Sequence, residues 1–541
     1  MRRAAVTLAS LLLLGCPDPK PPPAEDTQMG CRDDDECPTA LRCRFGACVG
    51  EVWPDWPISL RMLPRPGDDI PSVELRSIQF SENAVLDMGT IRLPKASRLT
   101  GRVKLPSGDG LEVRASARAT TGILELALNY QGESFRDLDG PGFSISLPQT
   151  WPTDTGSLRS VLYELTLFPD DAARHPPWRI TDFRIPDGDP TVVMVLPEPS
   201  QMARLDGEVR VSESNPTPIS GMRVYATDGG GRRISSEMVT DDAGQFALYF
   251  WPAPQARNVT VRLRRTGESG PVPDLERVVR VPGVLGEDVP FESFVLGNIG
   301  DAFSVSGRVG DAEPIPGASL RFRGQVGNGI FGIDVPTTDE DGRFKATLYE
   351  GLYAIDVVSP PQSRYRIARF QLPVADGDAL TLAPEPRASM TGLVVDPSAS
   401  PVQQARIRAE LMTPNYADLD LNRAEQSAPS RTRQVETDAE GRFALLLDPG
   451  DHRLHVEIAP RRGLPAVQMP ITIPPLDTFI PGVRVAIPPA AALVADIIAS
   501  DGTPALGVAV EAWRTDTSPP RRVAAAVTDQ QGSLTLAIPA E

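Results

Sequence analysis

The sequence predicts an all-β protein, a row of two-layer β-sandwich modules. Three observations predict it. The chain has 541 residues, too many for one core when domains usually run about 100–150 residues. Its 56 Pro and 45 Gly interrupt every long apolar stretch, so no helical period survives, yet 41% of the residues are apolar, enough for buried cores. Many short strands joined by many turns reconcile these figures. Finally, three short elements recur in one order at a period near 100 residues.

The first element is an aliphatic residue two places before a Gly and another two places after it. It reads Leu99-Thr-Gly101-Arg-Val103, Leu205-Asp-Gly207-Glu-Val209, Val305-Ser-Gly307-Arg-Val309 and Met390-Thr-Gly392-Leu-Val394, with a degenerate copy at Leu493-Val-Ala495-Asp-Ile497. The second is a Pro-x-x-Gly turn running into an alternating strand, as in Pro218-Ile-Ser-Gly221-Met-Arg-Val224 and Pro314-Ile-Pro-Gly317-Ala-Ser-Leu320. Pro401 and Pro504 open the other two copies, where Gln404 and Gly507 take the fourth place.

The third element is Thr-Asp-x-x-Gly-x-aromatic. Its turn residues are Asp241 and Gly244, Asp339 and Gly342, Asp438 and Gly441, and Asp529 and Gly532; Leu534 replaces the aromatic residue in the last copy. An Asp that caps the turn backbone and a Gly free to take positive φ specify a hairpin. Calcium is the other reading of these acidic turns, but they lack the EF-hand pattern.

Together these elements resemble the carboxypeptidase regulatory-like domain, a relative of transthyretin-like and B-type collagen-adhesin (Cna-B) sandwiches. The resemblance covers residues 99–541 and implies a seven-stranded antiparallel Greek-key sandwich per unit. It divides the chain into repeats at 99–200, 201–302, 303–386 and 387–489, with an incomplete fifth at 490–541. In the first repeat the turn is reduced to Asp139-Gly140-Pro141-Gly142-Phe143. Some Cna-B domains form a Lys–Asn isopeptide bond; repeats two, four and five contain no Lys, leaving Lys104 and Lys345 as formal candidates. The last repeat stops at Ile538-Pro-Ala-Glu541, while residues 51–98 look like the closing half of a repeat with no opening half. The expectation is a frayed terminal sandwich whose open edge accepts a strand from a neighbouring molecule; a truncated gene product is the blander explanation.

The N-terminus has its own organisation. Arg2 and Arg3 precede an apolar run, Ala4 to Leu14, far shorter than the roughly 20 residues of a membrane-spanning helix. Residues 1–15 therefore read as a signal peptide. Leu13-Leu14-Gly15-Cys16 resembles the bacterial lipobox, which implies cleavage before Cys16 and lipidation of its thiol. Pro17 is not the Asp that retains enterobacterial lipoproteins in the inner membrane, which favours the outer membrane, on its periplasmic or surface face. Residues 16–30 are Pro-rich and polar and read as a tether.

Cys31, Cys37, Cys43 and Cys48 make residues 31–50 a mini-domain with two disulfides of undetermined pairing. Structural zinc is the competing reading, although the usual C-x2-C spacing is missing. This segment resembles the Cys-rich motifs that follow the lipobox in deltaproteobacterial, myxobacterial-type lipoproteins.

The formal net charge of −17 disfavours nucleic acid as a partner. No H-E-x-x-H, G-x-S-x-G or phosphate-binding loop is present, and no cofactor or metal is expected. His452 and His455 are three apart in an expected strand, so they point to opposite faces. Of the six Trp, Trp53 and Trp56 flank Pro54 in a loop-like stretch and are the best candidates for stacking on a sugar. The segment 410–436 lengthens the gap from Gly392 to Asp438 to 46 residues, against 32–34 in repeats two, three and five, and such insertions often carry binding specificity. The expected function is a non-catalytic, membrane-anchored envelope protein, a structural spacer or an adhesive protein-binding module; the alternative is a carbohydrate-binding protein using sandwich loops and exposed aromatics. The oligomeric state is open.

Overall fold

The computed structural model describes residues 31–540, apart from 40, 66–69, 82, 121–127, 153–157, 187, 189–190, 215, 268, 270, 284–289, 415–431, 459–462, 475–478 and 519. Among the described residues all regular structure is β, save two three-residue 3-10 turns at Asp34–Glu36 and Pro199–Gln201. No helix is long and apolar enough to cross a membrane. Cys16, the tether and most of the 410–436 insertion lie outside the described residues.

The fourth module shows the common plan. Its first strand, Ala388–Val395, lies between the fourth, Arg442–Leu447, and the seventh, Phe479–Ala486. The second strand, Arg406–Pro414, lies between the third, Thr432–Glu436, and the fifth, Gly450–Glu457, which pairs in turn with the sixth, Val467–Ile473. A three-stranded and a four-stranded sheet thus face each other. Alternation fills the space between: Phe443, Leu445 and Leu447 point inward, as do His452, Leu454 and Val456.

The third module repeats this ladder from Phe303–Val309 to Ala379–Leu382. In the second, a bridge from Ser235 to Phe250 joins the two layers into one seven-stranded ladder. The first module adds a hairpin, Thr150–Pro152 with Leu158–Ser160, between its fourth and fifth strands. One detail departs from the all-antiparallel plan that the resemblance implies. In every module the seventh strand runs parallel to the first, as Thr191–Val195 does beside Ala96–Lys104.

The recurring residues now have physical roles. Each first-strand Gly lies opposite the fourth-strand aromatic: Gly101 faces Phe143, Gly207 faces Phe246, Gly307 faces Phe344 and Gly392 faces Phe443. The ring lies over the bare backbone. A Cβ on Gly101 would sit 2.1 Å from Phe143 Cζ, and one on Gly392 would sit 2.3 Å from Phe443 Cζ. The degenerate copy keeps the fit with the sizes exchanged, because Ala495 faces Leu534. A shorter side chain on one strand leaves room for a methyl on the other.

The Thr of the third element is a buried latch. Thr338 Oγ1 accepts a hydrogen bond from Ala318 N–H at 3.0 Å and donates to Ile315 C=O at 2.8 Å, tying the Pro-x-x-Gly turn to the hairpin. Thr240, Thr437 and Thr528 make the same pair of bonds. The neighbouring Asp acts on its own turn: Asp339 Oδ1 accepts from Asp341 and Arg343 N–H, and Asp241, Asp438 and Asp529 do the equivalent. Gly244, Gly342, Gly441 and Gly532 take φ between 70° and 77°.

The expectation of a frayed terminal sandwich is corrected. Ala490–Ile498, Ala509–Arg514, Arg521–Val527 and Ser533–Pro539 supply the first four strands of a fifth module. Its last three come from the other end of the chain. Ile58–Leu63 pairs antiparallel with Ala509–Arg514, Val73–Ile78 adds beside it, and Val85–Arg92 runs parallel to Ala490–Ile498. The edge expected to be open is therefore occupied in cis, and no neighbouring molecule is needed to fill it. Ile58, Leu60 and Met62 are fully buried, and each such side chain contributes about 1.5–3 kcal/mol.

This composite module closes the row into a cycle. The first module shares its core, with Leu99, Phe143 and Tyr163 packed in one cluster with Leu60, Leu493 and Leu536. Modules one and two meet where Trp251 Nε1–H donates to Pro177 C=O at 2.8 Å and Trp251 packs on Trp178. Modules two and three are bridged by paired backbone bonds between Asp274 and Ile330. Modules three and four meet at the buried pair Arg387–Asp448 of module four, where Asp448 accepts from Ile367 N–H of module three at 2.8 Å and Arg387 Nε–H donates to Tyr365 C=O at 3.0 Å.

The Cys-rich segment lies across the last seam. Its disulfides are Cys31–Cys43 and Cys37–Cys48. Cys48 N–H donates to Gly463 C=O of module four at 2.8 Å, and Val49 bridges to Ala490 of the composite module.

Candidate binding site at the closing seam

A cavity of about 750 Å³ opens where the composite module meets the first. That size suits a small-molecule ligand. One wall comes from the composite module: Leu75 from its sixth strand, Met88 and Ile91 from its seventh, and Ser500. The other comes from the connection Leu93-Pro94-Lys95 and from the extra hairpin of module one, through Thr150, Pro152 and Leu158. Both walls depend on residues 58–92 returning to the C-terminal strands.

The local sequence explains the shape. Pro94 has no N–H and holds the connection extended. Leu93 turns into the shared core and is fully buried, which leaves Lys95 exposed at the rim. Leu158 projects from the hairpin 65% exposed, beside the cavity mouth. Arg92 Nη1–H donates to Ser500 C=O at 3.1 Å, and its charge helps hold the Asp501 carboxyl below the ordinary range, behind the hydrogen bonds from Thr503. Lys95 makes no ion pair among the described residues.

The residues singled out from sequence fall elsewhere. Trp56 is not an exposed platform. It is 4% exposed, packed in the shared core, with the Arg514 guanidinium 4.9 Å from its ring centre. The loop-like sequence around Pro54 gave no hint of this, because residues beside it, such as Val467 and Arg514, lie more than 400 positions later. Trp53 is half-buried against the same core. Trp178 and Trp251 serve a module seam.

The turn carboxylates are engaged by backbone N–H groups. Lys345 stands on the outer, exposed side of its strand, and Lys104 is half-buried. The four Cys sulfurs are joined in pairs; the three that cluster, Cys31, Cys37 and Cys43, are all disulfide-bonded.

The histidines are dispersed. His452 points inward, where its Nε2 meets Asp448 C=O at 2.7 Å, the role that the Tyr353 hydroxyl plays toward Tyr349 C=O in module three. His455 faces the other side, near Glu410. His175 is buried at the seam of modules one and two, with neither ring nitrogen hydrogen-bonded. Burial holds the His175 and His452 imidazoles below their ordinary range. No two histidines converge with a nucleophile.

The fold and this cavity define a class: a multi-module all-β protein with a cavity between modules. No protein-family description matches the chain, and no curated protein matches it. Solved structures to which it is similar include several pilins. A streptococcal ancillary pilin is 15% identical, with 53% of this chain and 99% of that one covered and a TM-score of 0.20. BcpA, the major pilin subunit of Bacillus cereus, is 9% identical, with coverages of 53% and 99% and a TM-score of 0.15. GBS52, a minor pilin of Streptococcus agalactiae, is 14% identical, with coverages of 34% and 94% and a TM-score of 0.21. These likenesses concern the fold.

Proposed function

We propose that this protein is an exported, lipid-anchored, non-catalytic scaffold of the cell envelope, acting as an adhesive or structural binding module rather than an extended spacer. The observation that carries this is the completion of the C-terminal module by residues 58–92. In a row closed on itself, adding modules adds loops and seams but no reach. The first described residues and the last lie at the same module, so the tether of residues 16–30 would hold a ring near the membrane. Cys16 would carry the lipid, and the outer membrane is the proposed location. Burial of Trp56 removes one of the two aromatics on which sugar stacking rested.

Membrane fractionation of the wild type and Cys16→Ala, with small-angle scattering of the soluble variant, tests this. The wild type is expected in the membrane fraction, Cys16→Ala in the soluble one, and the scattering is expected to fit a compact ring. A soluble wild type would overturn the anchor; a rod-like profile would overturn the scaffold.

A further inference from the structure

The cavity at the closing seam combines two properties. Its lining is about equally apolar and polar; Met88 and Ile91 supply the apolar part, and Leu158 extends that surface toward solvent. Its charged lining among the described residues is cationic only, Arg92 and Lys95, in a chain with 71 acidic residues and a net charge of −17. Hydroxyl and amide groups of Thr90, Ser97, Gln149 and Thr150 complete the polar part. A surface this acidic repels free anions at long range, so a cation-lined recess is a local exception with a chemical preference. A recess that joins an apolar stretch to converging polar groups also fits ligand recognition.

We propose that this cavity binds an anionic amphiphile: a small molecule with an extended apolar body and one terminal oxyanion, of the fatty-acid type. The apolar body lies along Met88, Ile91 and Leu158, displacing water from surface that the two modules leave uncovered. The carboxylate sits at the rim against Lys95, with Arg92 beside it. Lys95 is the better-placed cation because Arg92 already donates to Ser500 and neighbours Asp501. The hairpin Thr150–Pro152 with Leu158–Ser160 occurs in the first module alone among the described strands, and it forms the outer wall. The site goes beyond the scaffold reading and does not require Cys16 to be lipidated.

The test uses 11-(dansylamino)undecanoic acid, its methyl ester, and the full chain with residue 16 changed to Ala for solubility. Dansyl fluorescence is titrated at constant ionic strength. The acid is expected to bind saturably, one per chain, and more tightly than the ester. Lys95→Gln, an exposed change that leaves the core untouched, is expected to weaken the acid about 5- to 10-fold and to leave the ester unchanged. Met88→Trp, which fills the cavity, is expected to abolish binding of both. Absence of saturable binding, equal affinity for acid and ester, an unchanged affinity of Lys95→Gln for the acid, or binding that survives in Met88→Trp would each overturn the proposal.

Discussion

The pairing of a bare first-strand backbone with a fourth-strand ring makes a quantitative prediction. In Gly101→Ala the new methyl would lie 2.1 and 2.2 Å from two atoms of the Phe143 ring, and the three nearest atoms all belong to that ring. Phe143 is fully buried, so it has nowhere to swing. Overpacking of this kind costs about 1–3 kcal/mol. The substitution also restricts the unfolded chain, which offsets roughly 0.4–1 kcal/mol. The net expectation is a loss of about 1–2 kcal/mol. Phe143→Leu alone leaves unfilled space and costs about 1–2 kcal/mol, below the 3–5 kcal/mol of a Phe→Ala change.

The double variant recreates the native pair Ala495–Leu534 of the fifth module. It is expected to be less destabilised than the sum of the single changes by about 1–2 kcal/mol, a normal size for contacting residues. A chain of several modules is not two-state, so the assay is hydrogen exchange by mass spectrometry in increasing urea. Peptides from Ala96–Lys104 and Gly140–Pro148 report on this module. Strict additivity would refute the claim that the Gly is there to make room for the ring.

Three further outcomes follow from the same structure. Thr338→Val keeps the shape of the latch but strands Ala318 N–H and Ile315 C=O, and should lower the stability of module three by about 2–4 kcal/mol in the same exchange experiment. Arg387→Met removes the guanidinium buried against the Asp448 carboxylate and should cost up to about 3–5 kcal/mol, read as lost protection at Ile367 and along Gly450–Glu457. His175 is buried neutral, with its imidazole held below the free value of 6.5. The unfolded chain therefore binds more protons, and the stabilisation is present above about pH 6.5 and lost as pH falls toward the depressed value. Protection factors at Trp178–Phe183, taken relative to the intrinsic exchange rate at each pH, should fall in mild acid, and His175→Phe should flatten that dependence.

Much of the fold was legible locally. The Gly, the turn and the Thr-Asp hairpin each follow from needs a few residues wide, so they recur visibly and mark five modules. Ala495 and Leu534 were each visible as departures from the pattern, and the strand register shows that they face each other. The half-repeat at the front and the half-repeat at the back were both visible too. Their union was not, because alternation in Ile58–Leu63 specifies a buried face but not the strand that will cover it. That partner, Ala509–Arg514, is a non-local choice made by matching cores.

Trp56 was misread for the same reason, since the residues that bury it lie at the opposite end of the sequence. The Cys spacing left three pairings open, and only the docking of the segment shows which sulfurs meet. The closing-seam cavity had no sequence signature, because its walls come from modules that touch only once the cycle is closed.

The direct test of that closure is a cysteine pair at Arg61 and Glu511, which face each other across the joining strands. Oxidation of the Arg61→Cys, Glu511→Cys chain should give an intramolecular disulfide at monomer mass, found by mass spectrometry between the two peptides. A chain that forms no such link, or links only between molecules, would contradict the closed cycle.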